Sequence, residues 1–437
     1  MRAEAFFLFA LLALVAPAVA DEGDADPKGA EGSAGARAEY PLDKEGRRIG
    51  GPTDVETDLD LSFPKPDSLF PGLIPKGWFE WKERLYEERG IKLGASYQSL
   101  YQHASDTLTG TDHAWGGWLQ LEAKWEAIHR GEDYEGSLTA ALDWRHTISG
   151  SQPTFFGLVD VGSLWPTDFA FFDLDPALTI LYWEQWLDKD RFVVRVGKQL
   201  AVQTYDFFRF KDGRTSFTAS PFTFHTSIPT PSFGQAVSFE WWPQEGSELY
   251  VVGTLNDMNG DPESFGLDTF FEQNQYFYGI EIGYFWKRNG LRDFDHVHLD
   301  LFYADRRQNP GPFPNEPGGG FKVLGSKQVE RVVVFGSYTY NTAEGGGFGV
   351  TFARHTVTAG VALLKPGGIR GEAALGLAWK DPIDPAVRDQ FGGEVYWKLL
   401  LTPDLWVTPG FQFIFNPSFN PTTDFVAIVQ FKFRLFF

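Results

Sequence analysis

The densest run of side chains able to hold or steer a solute lies between Leu200 and Gly234. Asp206, Arg209, Lys211, Asp212 and Arg214 follow one another there, with Tyr205, Phe207, Phe208, Phe210 and Phe217 threaded among them. Opposed charges set close together make a field across the space they border, which orients a solute without breaking its bonds. Further upstream, Arg145, Glu184, Arg195 and Lys198 sit inside stretches of alternating polarity. A carboxylate or guanidinium faces an apolar medium only at high cost. Glu184, rather than its neighbour Gln185, is therefore expected on the polar side of its stretch, as are Arg145 and Arg195.

Constellations for bond-making are missing. None of the eight His forms a His-Glu-x-x-His helix motif, and there is no Gly-x-Ser-x-Gly or phosphate-binding loop. His296-x-His298 puts two rings on one face of a strand, a metal pair without a third ligand nearby, and reads as polar filler. Gly318-Gly-Gly320 and Gly345-Gly-Gly347 read as turns. Zero Cys excludes disulfides, thiolate metal sites and a Cys nucleophile. The expectation is no catalytic, cofactor-binding or metal residue, and no enzyme; a lipase-like barrel is the weaker alternative.

The elements that must position these groups are strands. From Phe425 to Phe437 the chain alternates apolar Phe425, Ala427, Val429, Phe431, Phe433 and Leu435 with polar Gln430, Lys432 and Arg434. Period two is the mark of a strand with one wet and one greasy face. Similar segments recur from Ile91 onward: Ile91–Tyr101, Trp118–Glu126, Ser137–His146, Leu178–Leu187, Arg191–Gln199, Gln235–Trp242, Glu248–Asn256, Gln275–Lys287 and Asp295–Ala304. They continue with Arg331–Tyr340, Phe348–Arg354, Thr356–Leu364, Gly371–Lys380, Gly393–Leu401, Leu405–Asn416 and Asp424–Phe437. That is about sixteen, an even number suited to an all-β, transmembrane antiparallel β-barrel. In Ser137–His146 the outward set is Leu138, Ala140, Leu142 and Trp144, against inward Ser137, Thr139, Asp143 and Arg145. In Asp295–Ala304, Val297, Leu299, Leu301 and Tyr303 face out and His296, His298 and Asp300 face in. Connections alternate between tight (Asp188–Asp190, Pro243–Ser247, Thr402–Asp404) and long (Thr147–Ala177, Leu200–Gly234, Asp305–Glu330). A loop as long as Leu200–Gly234 is expected to fold into the lumen and narrow it.

Ahead of the barrel, Phe6–Val15 is an apolar run followed by Ala18-Val19-Ala20, so residues 1–20 read as a cleavable signal peptide. Residues 21–76 are acidic and then Pro-containing, and Asp21–Ser62 is expected to be a disordered or loosely held periplasmic segment. Residues 77–437 form the barrel domain. It opens on a short amphipathic helix ended by Gly90, with Trp78, Trp81 and Leu85 on its apolar face. A mean hydropathy of −0.24 suits a wall whose strands are half polar. The net charge of −20 argues against a nucleic-acid partner.

Three stretches resemble the carbohydrate-selective porins, the OprB-like family. They are Trp81–Ile91 running on to Tyr97, Leu181–Leu187 with Arg191–Gln199 and the following Thr204–Phe222, and the aromatic-ended last strand. The likeness covers roughly residues 78–437. It implies a sixteen-stranded outer-membrane barrel passing mono- and small oligosaccharides by facilitated diffusion. Its partners would be sugars, outer-membrane lipid and, through the last strand, the barrel-assembly machinery, with an oligomer possible. Polar groups would replace water around hydroxyls while rings stack on the sugar's apolar faces. Arg145, Glu184, Arg195, Lys198, Asp206, Arg209 and Arg214 are the expected residues of a charged, aromatic-lined constriction. A general or anion-preferring pore is the alternative, and a structural barrel a weaker one.

Overall fold

The computed structural model describes residues 51–437 except 52, 66–67, 189–190, 224–226, 245–246, 287–294, 309–315 and 344–351. The signal peptide, most of the acidic segment and the Gly345–Gly347 turn lie outside the described residues.

Sixteen antiparallel strands close into one barrel, each paired with its neighbours in sequence, and β1 (Ile91–Ala104) paired with β16 (Phe425–Phe436). Closure leaves no unpaired edge, the condition for backbone to cross a bilayer as a sheet. The remaining strands are β2 (His113–Ile128), β3 (Gly136–Gly150), β4 (Leu174–Asp188), β5 (Phe192–Gln199), β6 (Gly234–Trp241), β7 (Leu249–Asp257), β8 (Tyr276–Phe285) and β9 (His296–Ala304). They continue as β10 (Gly318–Val329), β11 (Val332–Asn341), β12 (Ala353–Leu364), β13 (Gly371–Pro382), β14 (Gln390–Thr402) and β15 (Leu405–Phe415). Side chains alternate as the pleat requires. On β3, Leu138, Leu142 and Trp144 are exposed, while Ser137, Thr139, Asp143 and Arg145 are buried. Leu121, Trp125, Ile280, Leu301, Leu375 and Val429 extend the apolar outer face around the wall. Such a face is stable against lipid. No helix among the described residues is long and apolar enough to cross a membrane.

The strand count agrees with the sequence reading, but one strand was missed and one was split. β10 begins at Gly318-Gly-Gly320, read above as a turn inside a long loop. A Cβ at Gly320 would lie 1.9 Å from the Tyr340 carbonyl oxygen. The glycines let the start of β10 close on β11, and a turn signal there conceals a strand. The segment expected at Phe348–Arg354 is no separate strand in the described residues. Its residues 348–351 lie outside them, and Ala353 begins β12, whose register shifts between Ala353 and His355.

Among the described residues two helices precede the wall. The first, α1 (Val55–Leu61), is buried and packs on β1, β2 and β3. This corrects the reading of Asp21–Ser62 as loosely held, at least from Thr53 onward. The second, α2 (Lys76–Arg89), ends at Gly90 in the left-handed conformation, φ 69°. A Cβ on Gly90 would lie 3.0 Å from the Glu126 carbonyl oxygen. Its buried face is Phe79 and Lys82, and not Trp78 and Trp81, which are exposed and pair with each other at 5.0 Å. The Lys82 ammonium takes the inner position because it donates to Ser62 Oγ at 2.7 Å and to the Phe437 backbone oxygen at 3.0 Å. Between the helices the chain is clamped on the tight β14–β15 turn. Lys65 N–H donates to Pro403 O, and Leu73 and Ile74 N–H donate to the Asp404 carboxylate. Hence α1 reaches the lumen from the side of the tight turns.

Candidate functional site

Among the described residues, three segments fill the lumen: α1, the β3–β4 connection and the β5–β6 connection. In the last, every described residue from Leu200 to Thr223 is buried except Arg209, which is half-buried. A connection that long has no ladder of its own and needs a side-chain core. Phe217 supplies its centre, 4.6 Å from Phe222 and 4.8 Å from Tyr396 on β14. Phe208 and Phe210 meet Phe335 on β11 at 5.0 and 5.6 Å. These rings therefore pin the connection to the wall. The expected aromatic lining of a constriction is not what they form.

The charged residues converge on α1. Arg195, inward on β5, points both amino nitrogens at the Asp54 carboxylate (3.3 and 3.0 Å) and its Nε at Glu184 (2.6 Å). Arg214, on the inward connection, likewise forks onto both oxygens of Asp58, and its Nε meets Asp212 at 2.7 Å. Lys124 on β2 bridges Glu56 (2.8 Å) and Glu184 (3.1 Å). Lys92 on β1 lies 3.2 Å from Glu56 and 3.7 Å from Glu126. Arg434 on β16 lies 3.0 Å from Asp58 and 3.4 Å from Asp212. Paired forks of this kind fit planar carboxylates. Burial pushes the Asp212 carboxyl up, but the guanidiniums of Arg214 and Arg434 outweigh it and hold the group down to about 2. At Asp54 burial wins over Arg195, and its pKa is raised.

The other expected residues are placed apart from this array. Arg145 is inward on β3, paired with Asp143 at 2.7 Å and stacked on Trp118 at 3.7 Å and Phe172 at 4.3 Å. Asp206, at φ 60°, is bonded to Lys322 of β10. Lys198 shares the side of β5 with outward Val196. Its ammonium is capped by the Pro262 and Ser264 carbonyls (2.7 and 2.5 Å), so it does not line the lumen. Gly197, φ 136°, precedes it. Sequence reasoning missed Asp54, Glu56 and Asp58, whose acidic surroundings read as solvated chain. It also missed Lys92, Lys124 and Arg434 as partners, although strand parity marks each of them as inward.

His298 does have neighbours that could hold a cation. Its Nε2 lies 3.1 Å from Asp300 and 3.6 Å from Asp206, and its Nδ1 is 2.9 Å from His296 Nε2. The loop contributes Asp206, which the strand pattern alone does not supply. The Lys322 ammonium already rests on that carboxylate, so the cluster is balanced by side chains.

No family profile and no curated protein sequence matches the chain. Among solved structures, the high-pH form of Pseudomonas putida OprB aligns over 82% of this chain and 97% of its own at 12% identity, with a TM-score of 0.63. The low-pH form covers 86% and 99% at 12% identity and a TM-score of 0.48. An anion-selective porin from Comamonas acidovorans covers 79% and 99% at 10% identity and a TM-score of 0.47. The first likeness shows the fold. The chain is a porin-like barrel of sixteen antiparallel strands.

Proposed function

We propose that the chain is an outer-membrane porin passing mono- and small oligosaccharides by facilitated diffusion. The observation that carries this reading is the sorting of side chains across the closed wall: apolar outside, and a hydrogen-bonding, mixed-charge lumen with a long connection folded into it. Fold likeness to OprB and the sequence resemblance to carbohydrate-selective porins support the sugar class. Passage needs many weak, reversible contacts instead of a reacting group. Arg209, the half-buried cation of the inward connection, is the group best placed to meet a solute. The tight-turn side, where α1 and α2 lie, is assigned to the periplasm.

The test is swelling of proteoliposomes in glucose, sucrose and neutral amino acids of matching size. Faster entry of hexoses than of amino acids of equal or smaller size is expected. Rates that follow size alone would make it a general pore, and no entry through a folded barrel would remove the porin reading.

A further inference from the structure

We propose that the forks of Arg195 and Arg214, with Lys124 between them, form a recognition site for carboxylate-bearing solutes, acidic saccharides above all. In the structure α1 occupies that site as the chain's own ligand. This rests on the porin reading and names the solute class for it.

The pairing is double throughout. Arg195 keeps Glu184, Arg214 and Arg434 keep Asp212, Lys124 keeps Glu184, and Lys92 keeps Glu126, all on the wall or the inward connection. The second partner of each comes from α1: Asp54, Asp58 or Glu56. Withdrawing α1 therefore leaves no cation without a carboxylate, while it takes Asp54 and Asp58 off the amino nitrogens of Arg195 and Arg214, of which Arg214 Nη1 also donates to Gln120 Oε1 at 2.9 Å. A buried cation stripped of every partner would be costly, and one that retains its partner is not. A helix of one or two turns has little stability by itself, so these contacts and the burial of Val55 and Leu59 hold it. The wall and the inward connection pre-orient the forks, and the occupant is exchangeable. A solute with two or three carboxylates on a flexible backbone satisfies the same donors.

The experiment uses the full chain in planar bilayers, with folding checked by heat-modifiable migration on gels. In Asp54→Asn/Glu56→Gln/Asp58→Asn the internal ligand is weakened. Conductance should rise several-fold, and trigalacturonate should block at a concentration at least tenfold below that of maltotriose, its neutral counterpart in size. Adding Arg195→Lys and Arg214→Lys keeps the charge and removes the forks, and should cost most of that tenfold preference. Citrate blocking as well as trigalacturonate would retain the site but assign it to simple polycarboxylates. Unchanged conductance in the triple variant, or equal block by maltotriose, overturns the proposal. Neutral-sugar swelling of the same variant separates the two failures. Swelling without acid preference sinks this inference alone, and no swelling sinks the porin reading as well.

Discussion

At the scale of the residue, charge and burial decide what each side chain can do. Asp168, in the β3–β4 connection, accepts N–H groups of Ala170 and Phe171 at 3.1 and 2.8 Å. Burial outweighs those bonds and pushes its carboxyl up to about 6 from an ordinary 3.8. A carboxyl whose folded pKa is raised binds its proton more tightly in the native state. Its contribution to stability is therefore full below about pH 4, is lost as pH climbs to about 6, and is level beyond. Asp168→Asn should remove that slope, read as the thermal midpoint of the detergent-solubilised barrel between pH 4 and 7. The inward positions of Arg145, Glu184 and Arg195 were legible because a charge inside an alternating strand has one side it can face. The second partner of Arg195 was not legible, since Asp54 is joined to it by no local rule.

At the scale of the element, regular strands were easy to read and the irregular parts were not. β3 and β9 display period two without interruption, so their two faces could be written down from composition. β10 hides behind three glycines whose purpose is close approach to a neighbouring strand. α1 hides in an acidic stretch where Val55, Leu59 and Leu61 are too few to announce a helix. The β5–β6 connection was recognisable by length, but its rings carry a role opposite to the one expected. They form a core, with Phe217 fully buried at the centre. Phe217→Ala should cost the connection about 3–5 kcal/mol. Limited proteolysis should then cut within residues 201–223, at sites protected in the parent, while the barrel itself stays folded.

At the scale of the whole molecule, the wall is a sorting device. Outward positions see lipid and inward ones see side chains, so the same substitution has different consequences one residue apart. Leu121, exposed on the outer side of β2 near its middle, is one such position. Leu121→Arg should weaken folding into vesicles by about 2–4 kcal/mol, measured by urea titration. The outer face was visible in the sequence as a whole because its pattern repeats around the barrel. The filling was not, because a lumen can be packed by any segment long enough to enter it.

The seating of α1 also fixes an order of events. Its Asp58 finds Arg214 only 156 residues further along the chain and Arg434 only on β16, the strand that joins β1 and completes the ring. The helix is synthesised before every strand of the wall, yet its berth is complete only when the last one has arrived. On this order the short-turn mouth stays open through assembly, and a helix made ahead of the wall is the final part to settle. Docking of α1 would then report that the barrel is finished, a check on completeness written into the chain's own connectivity.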